Sequence, residues 1–169
     1  MARAGILRED DRVELLDGEI LEMTPISSRH AACVNRLTQL FSDQVKKRVI
    51  VSVQNPLRLG ERSEPQPDLA LLRARADFYA RTHPGPEDVL LVVEVAETSG
   101  PLDREIKVPF YARAGVPAVW LVDLAEDCIE VSQRPTAQGY QEVRRVGRGE
   151  RLTPHPFPDI ELAAEEILG

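Results

Sequence analysis

Val89-Leu90-Leu91-Val92-Val93-Glu94-Val95-Ala96 is a nearly continuous apolar run that contains one charged residue. Such a run is typical of a strand covered on both faces, because the alternation of apolar and polar residues is lost where neither face meets water. Pro117-Ala118-Val119-Trp120-Leu121-Val122-Asp123 has the same character and predicts a second central strand. Between the two, residues 102–113 predict a helix that ends at Gly115. With the strands predicted elsewhere, this pattern indicates an α/β fold with a mixed sheet.

The segments outside this centre predict a hairpin, a long helix and peripheral elements. Residues 13–23 are typical of a β-hairpin, with Asp17-Gly18 supplying the positive-φ turn. A helix is expected after a cap at Ser27 or Ser28, followed by Lys46-Lys47-Arg48. Its apolar residues recur at helical spacing: Cys33, Val34, Leu37, Leu40, Phe41 and Val45. Further predicted elements are strands at 49–53 and 68–72, an exposed loop at 73–88, hairpin strands at 129–131 and 140–143, and a short acidic helix near 163–168.

The composition indicates a soluble globular protein. The 169 residues are 43% hydrophobic and 29% charged, which suits a single domain over residues 1–169. No run approaches the ~18 apolar residues of a membrane helix, and the first five residues lack the apolar core of a signal peptide. Cys33 and Cys128 are too far apart for metal-ligand spacing and are expected to be reduced, buried thiols. The expected location is the cytoplasm.

Two carboxylates stand out as candidate metal ligands. Glu94 interrupts an apolar strand, where a charged side chain without a partner costs several kcal/mol, roughly the desolvation penalty of a buried ion. Asp68 follows Pro67 and opens another predicted strand. Carboxylates on adjacent strands can converge on a hard cation such as Mg²⁺, with the Val95 carbonyl as a third oxygen. The alternative for Glu94 is a buried salt bridge with an arginine.

A third candidate lies on the predicted helix that follows Glu94. Asp103, Lys107 and Tyr111 are spaced four residues apart and so share one helix face. The alternative is a solvated face with one intrahelical ion pair. Pro109 removes a backbone donor inside this segment, so a kink there is expected to tilt Lys107 towards the sheet.

Taken together, these residues resemble a known nuclease signature. Pro67-Asp68, Glu94-Val95-Ala96 and Lys107 are similar to the PD-(D/E)XK motif, and the wider pattern resembles the Uma-two family of restriction endonucleases, long catalogued as a domain of unknown function. The resemblance covers nearly the whole chain. It includes residues 13–19, His30, Pro67-Asp68, Val93-Glu94-Val95, Asp103, residues 107–111 and residues 115–123.

The resemblance implies a restriction-endonuclease-like mixed β-sheet flanked by helices, with an N-terminal β-hairpin. It implies a Mg²⁺- (or Mn²⁺-) dependent endonuclease acting on DNA, with Asp68, Glu94 and Val95 as metal ligands. Ala96 stands where the motif has its lysine, so the resemblance implies that the lysine has moved to Lys107 on the next helix. The resemblance and the apolar strand at 119–122 also suggest a homodimer. The alternative is a non-catalytic nuclease-fold module that binds DNA or a protein; a phosphohydrolase of small nucleotides is a second rival.

The roles of three further residues stay open. Glu14 is a candidate catalytic residue, as an outer ligand of the metal or water, or else an exposed hairpin carboxylate. His30 either contacts phosphate or is a structural or surface histidine, and Tyr111 is expected to pack and position rather than react. Arginines around Asp68 and in the closing hairpin could follow a nucleic-acid backbone or form an ordinary solvated surface: Arg58, Arg62, Arg73, Arg75, Arg81, Arg134, Arg144, Arg145, Arg148 and Arg151.

The net charge of −7 argues at first against a nucleic-acid partner. Its distribution weakens that argument, since residues 1–26 and 158–169 each sum to −4 while residues 27–157 sum to +1. If a divalent cation neutralised Asp68 and Glu94, the net charge of residues 27–157 would rise to +3. The charge is therefore compatible with DNA, and it predicts modest, metal-dependent affinity.

Overall fold

An antiparallel hairpin opens the part of the chain that the computed structural model describes, residues 11–169. Strand β1 (Val13–Leu16) pairs with strand β2 (Glu19–Glu22). Asp17 and Gly18 turn between them with φ of 51° and 87°, as the sequence predicts. Such a turn favours glycine because L side chains rarely adopt positive φ.

Helix α1 (Ser28–Val45) follows the hairpin, and Ser27 caps it by accepting a hydrogen bond from the His30 amide at 3.1 Å. The predicted apolar stripe is its buried face, although Leu40 is only partly buried. The stripe packs on the main sheet, where the rings of Phe41 and Trp120 lie 5.6 Å apart. Burial of these large side chains is what holds a helix on a sheet.

The main sheet has six strands in the order β3-β4-β5-β6-β7-β8. They are β3 (Val49–Val53), β4 (Leu69–Arg73), β5 (Val89–Ala96), β6 (Ala118–Asp123), β7 (Cys128–Thr136) and β8 (Gly139–Gly147). Strands β5 and β6 are parallel and all other neighbours are antiparallel. Every residue of β5 and β6 is buried, which confirms both as central strands. Since β6 lies between β5 and β7, its apolar run at 119–122 is not available to a partner chain as an interface.

A helical segment, α2 (residues 100–113), connects β5 to β6. It consists of Gly100–Leu102, a π-helical turn at Asp103–Lys107, and Val108–Arg113. The Val108 amide donates to the Asp103 carbonyl, five residues back. Pro109 comes next, and its ring would clash with the carbonyl four residues before it, so the regular α-helical bonding pattern cannot run through this point. The predicted helix is present, with a widened turn before the proline.

Helices cover both faces of the sheet. On one face, α1 and the C-terminal helix α3 (Ala164–Leu168) form one apolar cluster with the sheet; on the other, Phe110 and Tyr111 of α2 form a second. Two short strands, β9 (Arg151–Leu152) and β10 (Leu162–Ala163), precede α3. No helix among residues 11–169 is long and apolar enough to cross a membrane.

The two cysteines are free and buried, as predicted. Burial raises the pKa of the Cys33 thiol to about 11. Such a thiol stays protonated at neutral pH and is a poor nucleophile.

Candidate active site

Glu94 is the buried charge around which the site forms. On β5, Val93 and Val95 belong to the cluster under α1, so alternation directs Glu94 to the opposite face, under α2. Its side chain is 4% exposed. Its Oε1 accepts a hydrogen bond from the Tyr111 hydroxyl at 2.7 Å and lies 3.0 Å from Lys107 Nζ. Burial raises the pKa of Glu94, and the nearby ammonium only partly opposes that effect.

Lys107 sits among three carboxylates. Its Nζ lies 2.8 Å from Glu14 Oε1, 3.0 Å from Glu94 Oε1 and 4.0 Å from Asp103 Oδ1. Burial by itself lowers the pKa of Lys107, but the facing carboxylates outweigh burial and hold the pKa above its usual range. Because Asp103, Lys107 and Tyr111 are all buried, the alternative of a solvated helix face is wrong. The alternative of a buried salt bridge between Glu94 and an arginine is also wrong, since the partner is a lysine.

Asp68, the residue immediately before β4, belongs to the same site as Glu94 and Lys107. Its Oδ2 accepts a hydrogen bond from the Val95 amide at 2.8 Å and also lies 3.1 Å from Nε2 of His30, within hydrogen-bonding distance. Gln54 Nε2 lies 3.4 Å from the other oxygen, Oδ1. The hydrogen bond to Asp68 raises the pKa of His30, although burial lowers it in part. His30 Nδ1 is buried and has no hydrogen-bond partner among the residues described.

Glu14 brings the N-terminal hairpin into the site. Glu14 is only 6% exposed, so the alternative of an exposed hairpin carboxylate is wrong. One oxygen contacts Lys107 and the other accepts a hydrogen bond from the Gln66 amide at 3.1 Å. Both oxygens of Glu14 are therefore engaged by protein groups.

These residues line one cavity of about 100 Å³, enough for several water molecules. Its lining includes Glu14, His30, Asp68, Glu94, Val95, Asp103 and Lys107. Within residues 11–169, no three His, Cys, Asp or Glu side chains are arranged as a ready metal cage. Among the carboxylates of this lining are Asp68 and Glu94, and Mg²⁺ is commonly held by one or two carboxylates while it keeps several waters. The donor chemistry therefore fits such an ion.

A protein-family model described as "Putative restriction endonuclease", Uma2, matches residues 3–165. The chain belongs to this family. A search of curated proteins finds no match.

A solved structure shows the same fold as this Uma2 chain. It is the crystal structure of "a putative nuclease belonging to DUF820" from Anabaena variabilis, with a TM-score of 0.76 and 13% sequence identity. The match covers 98% of this chain and 94% of that one. The restriction-endonuclease-like sheet with flanking helices and N-terminal hairpin is thus the fold of this chain.

Every residue of the Uma2 chain that was predicted as catalytic or metal-binding lines the cavity, but the sequence missed several of their contacts. His30 is within hydrogen-bonding distance of Asp68 and is not a surface residue. Gln66 and Ser99 bind the carboxylates of Glu14 and Asp103, respectively. Of these links, only the pair formed by Ser99 and Asp103 is local in sequence; the others depend on the topology of the sheet.

The arginines predicted as a nucleic-acid track lie elsewhere. Four in the closing hairpin region form ion pairs with acids: Arg134 with Glu142, Arg145 with Glu126, Arg148 with Asp127 and Arg151 with Glu161. None of the ten predicted arginines lines the cavity; Arg12 does. These ion pairs are typical of the alternative, an ordinary solvated surface.

Proposed function

We propose that the chain is a metal-dependent endonuclease that hydrolyses phosphodiester bonds of DNA. The observation that carries the proposal is the convergence of Asp68, Glu94 and Lys107 on one cavity from three separate elements. A fold could be retained without such a convergence, whereas metal-assisted hydrolysis by these three residues requires them to face one cavity. Membership of the Uma2 family supports the same reaction class.

Asp68 and Glu94 would hold Mg²⁺ or Mn²⁺, with the Val95 carbonyl as a further ligand. Bound there, the ion would polarise the phosphodiester and lower the pKa of an attached water. The contacts of each carboxylate favour this role. Tyr111 and Lys107 both bind Glu94 Oε1, so this carboxylate is fixed through one oxygen. Val95 and His30 both bind Asp68 Oδ2, and the longer 3.4 Å contact of Gln54 is on Oδ1. Fixed carboxylates of this kind are typical of metal ligands that outer residues orient.

Lys107 would stabilise charge at the reacting phosphate or orient the attacking water. An ammonium carries three hydrogens, and the two short ion pairs with Glu14 and Glu94 require only two of them. The third is available to a water or phosphate oxygen in the cavity. Glu14 and Tyr111 are then positioning residues, because they act through Lys107 and Glu94.

DNA would approach over the rim of the cavity. Arg12 lines it, and Arg29, half-exposed in the first turn of α1, lies 3.9 Å from Glu97. The start of α1 also lies there, since Ser27 and His30 belong to the lining. A helix N-terminus and arginine side chains both favour the negative charge of a phosphate backbone. The sparse positive charge at this rim is consistent with modest affinity.

Cleavage of supercoiled and single-stranded DNA with Mg²⁺ or Mn²⁺ tests the proposal. Wild type should cut, whereas Glu94→Gln and Lys107→Met should lose at least about a hundredfold in rate, the scale of one lost transition-state contact. Glu105→Gln is the matched control, because Glu105 lies on the same helical turn but is exposed. If Glu94→Gln cuts as fast as wild type, the activity comes from a contaminant and the proposal fails.

One observation favours the alternative of a non-catalytic binding module. Lys107 forms short ion pairs with both Glu94 and Glu14 without any metal, so the cluster can serve as a structural ion-pair network. A purified protein that binds DNA in a salt-sensitive manner, but shows no cleavage with either metal, would establish that alternative.

A further inference from the structure

Asp103 is a buried carboxylate to which the mechanism above gives no part. It begins the π-helical turn, is 4% exposed and lines the cavity. The Ser99 hydroxyl donates to its Oδ2 at 2.7 Å, which fixes the side chain. Its Oδ1 is the oxygen nearer to Lys107.

The separation between Asp103 Oδ1 and Lys107 Nζ is 4.0 Å, too long for a hydrogen bond. Polar groups at such a distance are commonly bridged by a water molecule. A water within hydrogen-bonding distance of both atoms would accept from the ammonium and donate to the carboxylate. Both groups line the cavity that Glu94 and Asp68 also line, so this water would share the cavity with the proposed metal ligands.

We propose that Asp103 is the general base that activates the attacking water, an inference that rests on the proposed endonuclease function. Asp103 Oδ1 accepts a proton from the water as the water oxygen forms its bond to phosphorus. The bond from phosphorus to the leaving oxygen of the sugar breaks, and that oxygen takes a proton from solvent. Lys107 orients the same water by donating to its oxygen.

The other acidic groups of the cavity are less suited to this part. Glu22 is exposed, and Glu97 is engaged by Ser27 and Arg29. Glu14 has both oxygens engaged by Lys107 and Gln66. Asp68 and Glu94 would be occupied as metal ligands, and a carboxylate bound to a cation is a weak proton acceptor. Asp103 has one oxygen bound by Ser99 and the other directed towards the ammonium, which is the arrangement a base needs.

The test compares Asp103→Ala and Asp103→Asn with the control Glu105→Ala, using single-turnover DNA cleavage. Both Asp103 variants should cut about a hundred- to ten-thousandfold more slowly than wild type, the usual contribution of a general base. Added formate should restore part of the rate of Asp103→Ala, which has space for it, and none of the rate of Asp103→Asn. Glu105→Ala should cut as wild type does.

Mn²⁺ binding, measured by titration calorimetry without DNA, separates this role from a ligand role. The Asp103 variants should bind Mn²⁺ within about twofold of wild type, whereas loss of a ligand or its support typically costs tenfold or more. A large loss of affinity would make Asp103 a metal ligand and overturn the proposal, as would wild-type cleavage by Asp103→Asn. Absence of cleavage by wild type itself would instead refute the endonuclease function.

Discussion

Lys107 Nζ lies 3.0 Å from Glu94 Oε1, although the two residues belong to different secondary-structure elements. Glu94 is on strand β5 and Lys107 on the π-helical turn of α2. The nuclease motif that the sequence resembles places its lysine two residues after the glutamate, where this chain has Ala96. The ammonium instead reaches the carboxylate from the helix, which gives the proposed relocation of the lysine a geometric basis.

Lys107→Met should lower the free energy of unfolding by about 3–5 kcal/mol, because it leaves buried carboxylates without their cation. The deficit should shrink as pH falls from 8 to 5. In the variant the folded state holds carboxyl protons more tightly than the unfolded state, so its stability rises as pH falls. Urea unfolding in EDTA measures both effects. Lys47→Met, at an exposed position, is the control and should change the stability by less than about 0.5 kcal/mol. An equal loss of stability in both variants would contradict a stabilising role for the ion pairs of Lys107 with Glu14 and Glu94.

Tyr111→Phe should lower the stability by about 1–3 kcal/mol, since it removes the hydroxyl that donates to Glu94 Oε1. If Tyr111 also orients a metal ligand, Mn²⁺ affinity should fall about tenfold. Tyr140→Phe is a matched control, because its hydroxyl donates to the Val116 carbonyl. It should cost stability but leave Mn²⁺ affinity unchanged. Equal Mn²⁺ affinity in the two variants would show that Tyr111 is only structural.

His30 should titrate above its usual pKa of about 6.5 in the metal-free protein, because Asp68 stabilises its protonated form. The stability that this pair contributes should be fully present below the unfolded pKa and lost as pH rises through the raised folded pKa. NMR titration of the His30 ring gives the pKa, and unfolding of wild type against His30→Gln at several pH values gives the stability. In Asp68→Asn the His30 pKa should fall; an unchanged value would mean that Asp68 is not the cause.

Much of the fold could be predicted because it depends on local patterns. The apolar runs of β5 and β6 and the periodic stripe of α1 each express burial directly in sequence. The site was predictable only in part. Glu94 stands out as a charge in a buried strand, but the contacts of His30 with Asp68 and of Glu14 with Gln66 join residues 38 and 52 positions apart. Such contacts are set by strand order and helix placement, which no local pattern specifies.

The π-helical turn that carries Asp103 and Lys107 is anchored by Arg104, which pairs with Asp123 and, at 2.8 Å, with Glu130. Gly100 makes room for this anchor: a Cβ there would lie 3.0 Å from Asp123 Oδ2 and 3.2 Å from an Arg104 guanidinium nitrogen.

Gly100→Ala should therefore destabilise the protein by about 1–2 kcal/mol through overpacking, although alanine normally gains about 0.5–1 kcal/mol over glycine in a helix. Amides of residues 103–108 should also exchange hydrogen faster, because the anchor of the π turn is displaced. Gly60→Ala is the control, since its nearest neighbour would lie at an ordinary 3.7 Å. Its stability should stay within about 0.5 kcal/mol of wild type. A Gly100→Ala protein as stable as wild type, with unchanged exchange at the π turn, would show that Gly100 is not needed to make room for the Arg104 anchor.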